Sequence, residues 1–245
     1  MSVRAWLGAV SVRAWLSAVT VRSWLCAAAT LVVLAGCATT VRQPPRSPSS
    51  EVYTPENSAT LDQYVASIKA NSDRSDHESD GKARADLATQ SNNMADACLA
   101  LNDRAAACQY GKALATGMEA RAHPTQALGL LTSMLKYLSA ADAVNTYYDQ
   151  AGPSRVRALV LIRAPGWPLG PGDTDAGLQS ARQAVSLAPG YAPNQLALAE
   201  ALSKNGDADG AHASYQRAFE LAQAAPAGPE RDGWLHDAQE GLAKK

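Results

Sequence analysis

Four cysteines and four histidines carry most of the reactive chemistry in this 245-residue chain. The histidines, His77, His123, His212 and His236, are scattered, and His212 falls on a solvated helical position. No serine sits in a Gly-x-Ser-x-Gly elbow, no His-Glu-x-x-His is present, and no glycine loop is built to cradle phosphate. Asp76-x-Glu78-x-Asp80-Gly81 opens like a calcium loop, but the twelfth position, which needs a bidentate glutamate, is Leu87. No histidine stands at ligand spacing from a cysteine, so no metal and no cofactor are expected. An enzyme is not expected either. What remains is thiol chemistry, at Cys37 and at the pair Cys98 and Cys108, and contact chemistry at Tyr147, Tyr148, Arg163 and Trp167. Aromatic residues and arginine are the usual anchors of binding surfaces.

The setting of Cys37 defines its chemistry. Three near-copies of one basic segment, around Arg4, Arg13 and Arg22, contain no acid and read as a long n-region. The apolar run Cys26–Ala35 follows, and Leu34-Ala35-Gly36-Cys37 resembles the bacterial lipobox. That resemblance implies diacylation of the Cys37 thiol, cleavage before it and acylation of the new amino group. Residues 1–37 are then a lipoprotein signal peptide. The alternative is an uncleaved membrane helix, because the uncharged run between Arg22 and Arg42 is just long enough to span. Ala38 and Thr39 follow the cysteine, without an inner-membrane retention aspartate, so the resemblance favours the periplasmic side of the outer membrane. Several acyl chains anchor stably where one does not.

Residues 38–58, rich in proline and serine, cannot bury a core and read as a disordered, flexible tether. Residues 59–245 are enough for one helical domain. The chain carries 22 basic and 23 acidic residues, and losing the signal leaves about 19 and 23, mildly acidic. No basic patch or aromatic ladder is present, so no nucleic-acid partner is expected.

The pattern within that domain is helical throughout. Leu61–Ala70 reads as a short first helix, followed by a polar linker to Gly81. Gly81–Leu101 and Arg104–Ala122 read as a hairpin turning at Asn102-Asp103. Cys98 and Cys108 flank that turn, where antiparallel helices place them face to face. An exported protein meets an oxidising compartment, so a Cys98–Cys108 disulfide is expected; two buried free thiols are the alternative. Thr125–Tyr147, Ser154–Arg163 after a turn at Asp149–Pro153, and a terminal Pro229–Lys244 complete an all-α domain of eight or nine helices.

Residues 172–223 contain one short helix twice. Gly172-Asp173-Thr174-Asp175 and Gly206-Asp207-Ala208-Asp209 each open a helix that closes Ala-x-x-Leu-Ala, about 34 residues apart. Gly supplies the turn and Asp the N-cap. This resembles the tetratricopeptide repeat. Ala199, Ala211 and Ala218 fall on its small positions, Leu198, Leu202 and Tyr215 on its large ones, and Pro189 on its unit-ending proline. The resemblance implies a superhelix of antiparallel α-α pairs. One departure stands out: where the partner helix of the first copy should lie, Ala164-Pro165-Gly166-Trp167-Pro168-Leu169-Gly170-Pro171-Gly172 interrupts.

Two functions follow as expectations. The first is a membrane-anchored scaffold binding an envelope protein or peptide along its array. The second is a ligand-binding accessory, since repeat helices on a lipid anchor resemble the T-component lipoproteins of TRAP transporters. Trp167 either tucks against the array to plug the interrupted helix or lines a groove with Tyr147, Tyr148 and Arg163.

Overall fold

The computed structural model describes residues 55–244; the signal, Cys37 and the tether up to Thr54 lie outside the described residues. Nine α-helices are present among them: α1 Pro55–His77, α2 Gly81–Leu101, α3 Ala106–Ala122, α4 Ala127–Val144, α5 Tyr148–Arg163, α6 Thr174–Leu187, α7 Ala192–Lys204, α8 Ala208–Ala224 and α9 Pro229–Leu242. A single 3-10 turn, Pro124–Gln126, precedes α4.

The first helix corrects the sequence reading at both ends. Residues 55–58, assigned to the tether, form its first turn, with Pro55 at a position that needs no N–H donor. The polar stretch after Ala70 is helical because its polar side chains turn inward. Asn71 donates to Ser91 Oγ at 3.2 Å and Arg121 to Ser75 Oγ at 2.7 Å, while Arg121 also pairs with Asp76. Asp80 caps α2 by accepting from Lys82 N at 2.9 Å. The α2–α3 turn is closed by the Cys98–Cys108 disulfide, with Cα atoms 5.2 Å apart.

Packing follows chain order with one regular addition. Each helix packs on its sequence neighbour, and each odd helix also packs on the next odd one, α1 on α3, α3 on α5, α5 on α7 and α7 on α9. The described even helices make no such contacts with one another. The odd helices thus form a continuous layer flanked by the even ones. Short connections between packed neighbours make successive helices antiparallel. One rim therefore collects the α2–α3, α4–α5, α6–α7 and α8–α9 turns, and the other the α1–α2, α3–α4, α5–α6 and α7–α8 turns.

Small side chains set the spacing. Ile68, Tyr110, Leu114, Met134 and Leu138 fill the core of α1–α4. From α5 onward alanine dominates: Ala158, Ala181, Ala197 and Ala201 in one cluster, Ala192, Ala218, Ala222 and Ala238 around Trp234 in the next. At Gly177 on α6 a Cβ would collide with Ile162 of α5, so only glycine permits that approach.

Hydrogen bonds show how the two copies relate. Asp173 Oδ1 accepts from Ala176 N, and Asp207 Oδ1 from Gly210 N, both at 2.9 Å. Asp173 N donates to Leu161 O, and Asp207 N to Leu202 O, both at 3.0 Å. Gly177, Ser180 and Ala184 are buried on α6, as Ala211, Ser214 and Ala218 are on α8. The partner of α6 is therefore α5, corresponding to α7 as the partner of α8. The loop does not interrupt a helix, as the 34-residue spacing implied. It lengthens the α5–α6 turn by the seven residues 165–171, leaving Ala164, Gly172 and Asp173 in register with Asn205, Gly206 and Asp207.

Candidate functional site

Two places stand out, one exposed and one buried. The exposed one is the insertion. Its base is tied by Gly172 N donating to Pro165 O at 2.8 Å and by a bridge between Gly166 and Gly172. Leu169 N and Gly170 N both donate to Gly166 O, at 3.0 and 3.1 Å. A Cβ on Gly170 would sit 2.9 Å from Leu128 Cδ2, so the loop lies against the start of α4. The Trp167–Pro168 bond is cis. The result is a short finger, and its tip carries Trp167, 91% exposed, and Leu169, 72% exposed. The expectation that Trp167 plugs the array is corrected: the turn is lengthened rather than a helix broken, so there is no gap to fill.

The four contact candidates do not converge. The right-handed part of α5 runs from about Gly152 to Arg163, roughly 18 Å at 1.5 Å per residue. Tyr147 and Tyr148 lie at its start, and Arg163 and Trp167 at its end. Tyr147 is exposed, whereas Tyr148 packs edge-on to Tyr110 and donates to Asp62 Oδ1 at 2.9 Å. Arg163 is half-buried and held by Glu200, its Nε 2.7 Å from Oε1.

The buried place is the α4–α5 corner, which sequence reading treated as a plain turn. Asp149, Gln150 and Ala151 hold consecutive positive φ angles of 49°, 55° and 64°. Non-glycine residues there cost about 1–2 kcal/mol each, so the surroundings must impose the conformation. Lys69 of α1 donates to Asp149 Oδ1 at 2.9 Å, and Tyr110 of α3 and Arg155 of α5 donate to Oδ2 at 2.8 and 2.9 Å. Arg155 also donates to the Asp149 and Gln150 carbonyls and to Asn194 Oδ1, and lies 5.0 Å above the Tyr191 ring. Asn194 Nδ2 in turn donates to the carbonyls of Gln150, Ala184 and Ala188, each at 3.0 Å. Four odd helices thus meet around one carboxylate.

Electrostatics match that geometry. Burial pushes the Asp149 carboxyl up, but Arg155 and Lys69 outweigh it and hold the group below its ordinary value. Burial, with Asp149 adding to it, pushes the Tyr110 phenol well above its ordinary value. Burial lowers the Lys69 ammonium, yet Asp149 brings it above its usual value. A carboxylate bound by a lysine, a phenol and an arginine is a satisfied structural ion cluster, with its acceptor sites taken by this chain's own donors. The missed signal was the link from Asp149 to Lys69 and Tyr110, 80 and 39 residues away, which no short spacing marks.

Other expectations find their places. His123 caps α3, His77 Nδ1 donates to the Asp73 carbonyl at 2.8 Å, and His212 and His236 are exposed. Among the described residues no group of three or more His, Cys, Asp or Glu is placed to hold a metal. No described helix is long and apolar enough to cross a membrane. Between α5, α7, α8 and α9 lies a small, half-open space of about 20 Å³ lined by Leu159, Leu196, Tyr215 and Asp237 among others. A wide, open concavity of about 480 Å³ lies along the end of α1, lined by Asp73, Arg74, His77, Glu78 and Leu87. Partial burial, with Glu230 of α9 adding to it, raises the Asp73 carboxyl.

No protein-family model matches this chain, and no curated protein matches it at a significant level.

Proposed function

We propose that this chain is a lipid-anchored scaffold of the bacterial cell envelope, a tetratricopeptide-like superhelix that holds a protein or peptide partner. One observation carries the reading: α5–α6 and α7–α8 close with the same backbone bond and the same aspartate cap, within a continuous layer of odd helices. Repeated hairpins stacked through one helix of each pair build extended concave surfaces suited to segments of other proteins. The lipobox-like Leu34–Cys37 supplies the anchor and favours the periplasmic side of the outer membrane. The open concavity beside Asp73, Arg74 and His77 offers charged and apolar groups together, as a peptide segment requires.

The ligand-handling reading would require an enclosed apolar space of several hundred Å³. The half-open space among α5, α7, α8 and α9, about 20 Å³, is too small to supply it and does not favour this second reading.

The test is site-specific photo-crosslinking in cells, with the probe at Arg74 or His77 and, as control, at Arg217 on α8. The scaffold reading expects one discrete adduct shared by the first two positions and missing from the third. Uniform absence of adducts would count against it. Lipid labelling that disappears in Cys37→Ala tests the anchor separately.

A further inference from the structure

The insertion between α5 and α6 is unlike any other connection in the array. Its register with the α7–α8 turn shows that pairing α5 with α6 does not require residues 165–171. Something other than the fold explains its composition.

That composition is uncharged, and few of its backbone N–H groups are left over. No charged residue occurs between Arg163, which is held by Glu200, and Asp173, which caps α6. Of residues 164–172, three are prolines, which lack an N–H. Four others donate within the chain: Ala164 N to Val160 O at 2.9 Å, Leu169 N and Gly170 N to Gly166 O, and Gly172 N to Pro165 O. Backbone donors are what bars an ordinary loop from an apolar medium, because each one left without a partner is costly there. This finger has disposed of seven in nine. At its tip stand Trp167 and Leu169, the two most exposed large apolar side chains among the described residues.

A lipid surface lies within reach, which rests on the anchor at Cys37 in the proposed function. Seventeen residues separate Cys37 from Pro55, up to about 55 Å of extended chain. The array is about 35 Å tall along α1, judged by its 23 residues. The finger lies on the rim opposite the start of α1, and the tether is long enough to bring either rim to the bilayer.

We propose that the Pro165–Pro171 finger inserts Trp167 and Leu169 into the headgroup layer of the membrane that carries the acyl anchor, fixing which rim faces the bilayer. Tryptophan favours this layer because its ring is apolar and its N–H polar. The same rim carries Glu78, Asp80, Asp173, Asp175, Asp207 and Asp209 beside Arg74, Lys82 and Lys204, all exposed or half-buried. The two signs are interspersed there, so the apolar tip carries the contact and headgroup charge adds little to it.

The experiment uses the processed chain purified from membranes and reconstituted into phosphatidylcholine vesicles containing brominated phosphatidylcholine. Processing before Cys37 leaves two tryptophans, Trp167 and the buried Trp234. The proposal expects bromolipid to quench the emission, and Trp167→Phe to remove the quenched component. It also expects anionic phosphatidylglycerol to leave the quenching largely unchanged. Quenching unchanged in Trp167→Phe, or none with the chain bound, overturns it. A photo-crosslink from position 167 to a protein, a second copy included, also overturns it. The mass of the Cys37 peptide tests the anchor by itself; if acyl groups are missing, vesicles added to the free chain still test the finger by the same quenching.

Discussion

The phenol of Tyr110 donates to Asp149 at 2.8 Å, so a fully buried ring on α3 pins a carboxylate whose own backbone is left-handed. Gly152 completes the fit, because a Cβ there would stand 2.8 Å from the same phenol oxygen. Removing the carboxylate strands the buried Arg155 and the half-buried Lys69. Asp149→Ala should therefore destabilise the chain by about 3–5 kcal/mol, the usual cost of breaking a buried pair from one side. Urea unfolding with matched slopes checks it; a loss under about 1 kcal/mol would place the cluster among surface pairs.

The same carboxylate sets an acid limb. Its folded value is depressed, so its contribution is present above the unfolded value near pH 4 and is lost as pH falls through the folded value. Asp76 acts oppositely: burial raises it despite Arg121, so acid relieves an unfavourable charge there. Between about pH 5 and 3, the stability curve of Asp149→Asn should be flatter than that of the native chain, and that of Asp76→Asn steeper. Thermal unfolding across that range reads both slopes.

Cys98 and Cys108 close a loop of ten residues at the α2–α3 turn. Chain-entropy arithmetic for a loop that short allows about 2.5–3 kcal/mol. Replacing both cysteines by alanine should lower stability by up to that amount while helical content, read by circular dichroism, is retained.

The repeated caps make a paired prediction. Asp173→Ala and Asp207→Ala each remove one side-chain bond to an N–H of the next helix. Each should cost about 0.5–2 kcal/mol, and the two costs should agree to within roughly half a kcal/mol. Unequal costs, measured by denaturant titration, would show that α6 and α8 are not held alike.

Helices with a regular apolar face and a visible stop were legible in the sequence: α2 has both its expected ends, and α9 starts at Pro229. The disulfide followed from hairpin geometry. Two things were hidden for different physical reasons. The second half of α1 buries Ser72 and Ser75 and hydrogen-bonds Asn71, so polarity there did not mean exposure. The Asp149 cluster joins Lys69 and Tyr110, 80 and 39 positions away, and ties Asn194 to Gln150 across 44, and Coulomb and hydrogen-bond partners at such separations leave no periodic trace. The α5–α6 turn was misread because a fixed repeat length has no room for an insertion.

That misreading points to the measurement that bears most directly on the repeated array. Excising residues 165–171 joins Ala164 to Gly172 and converts the α5–α6 turn into the counterpart of Asn205-Gly206-Asp207. If the two hairpins are copies of one unit, the shortened chain keeps its helical content and unfolds in one transition, within about 1 kcal/mol of native stability. Gly172 should then adopt the left-handed backbone that Gly206 has at φ 83°. Loss of cooperative unfolding, or of the α5–α6 pairing in a structure of the shortened chain, would contradict the account.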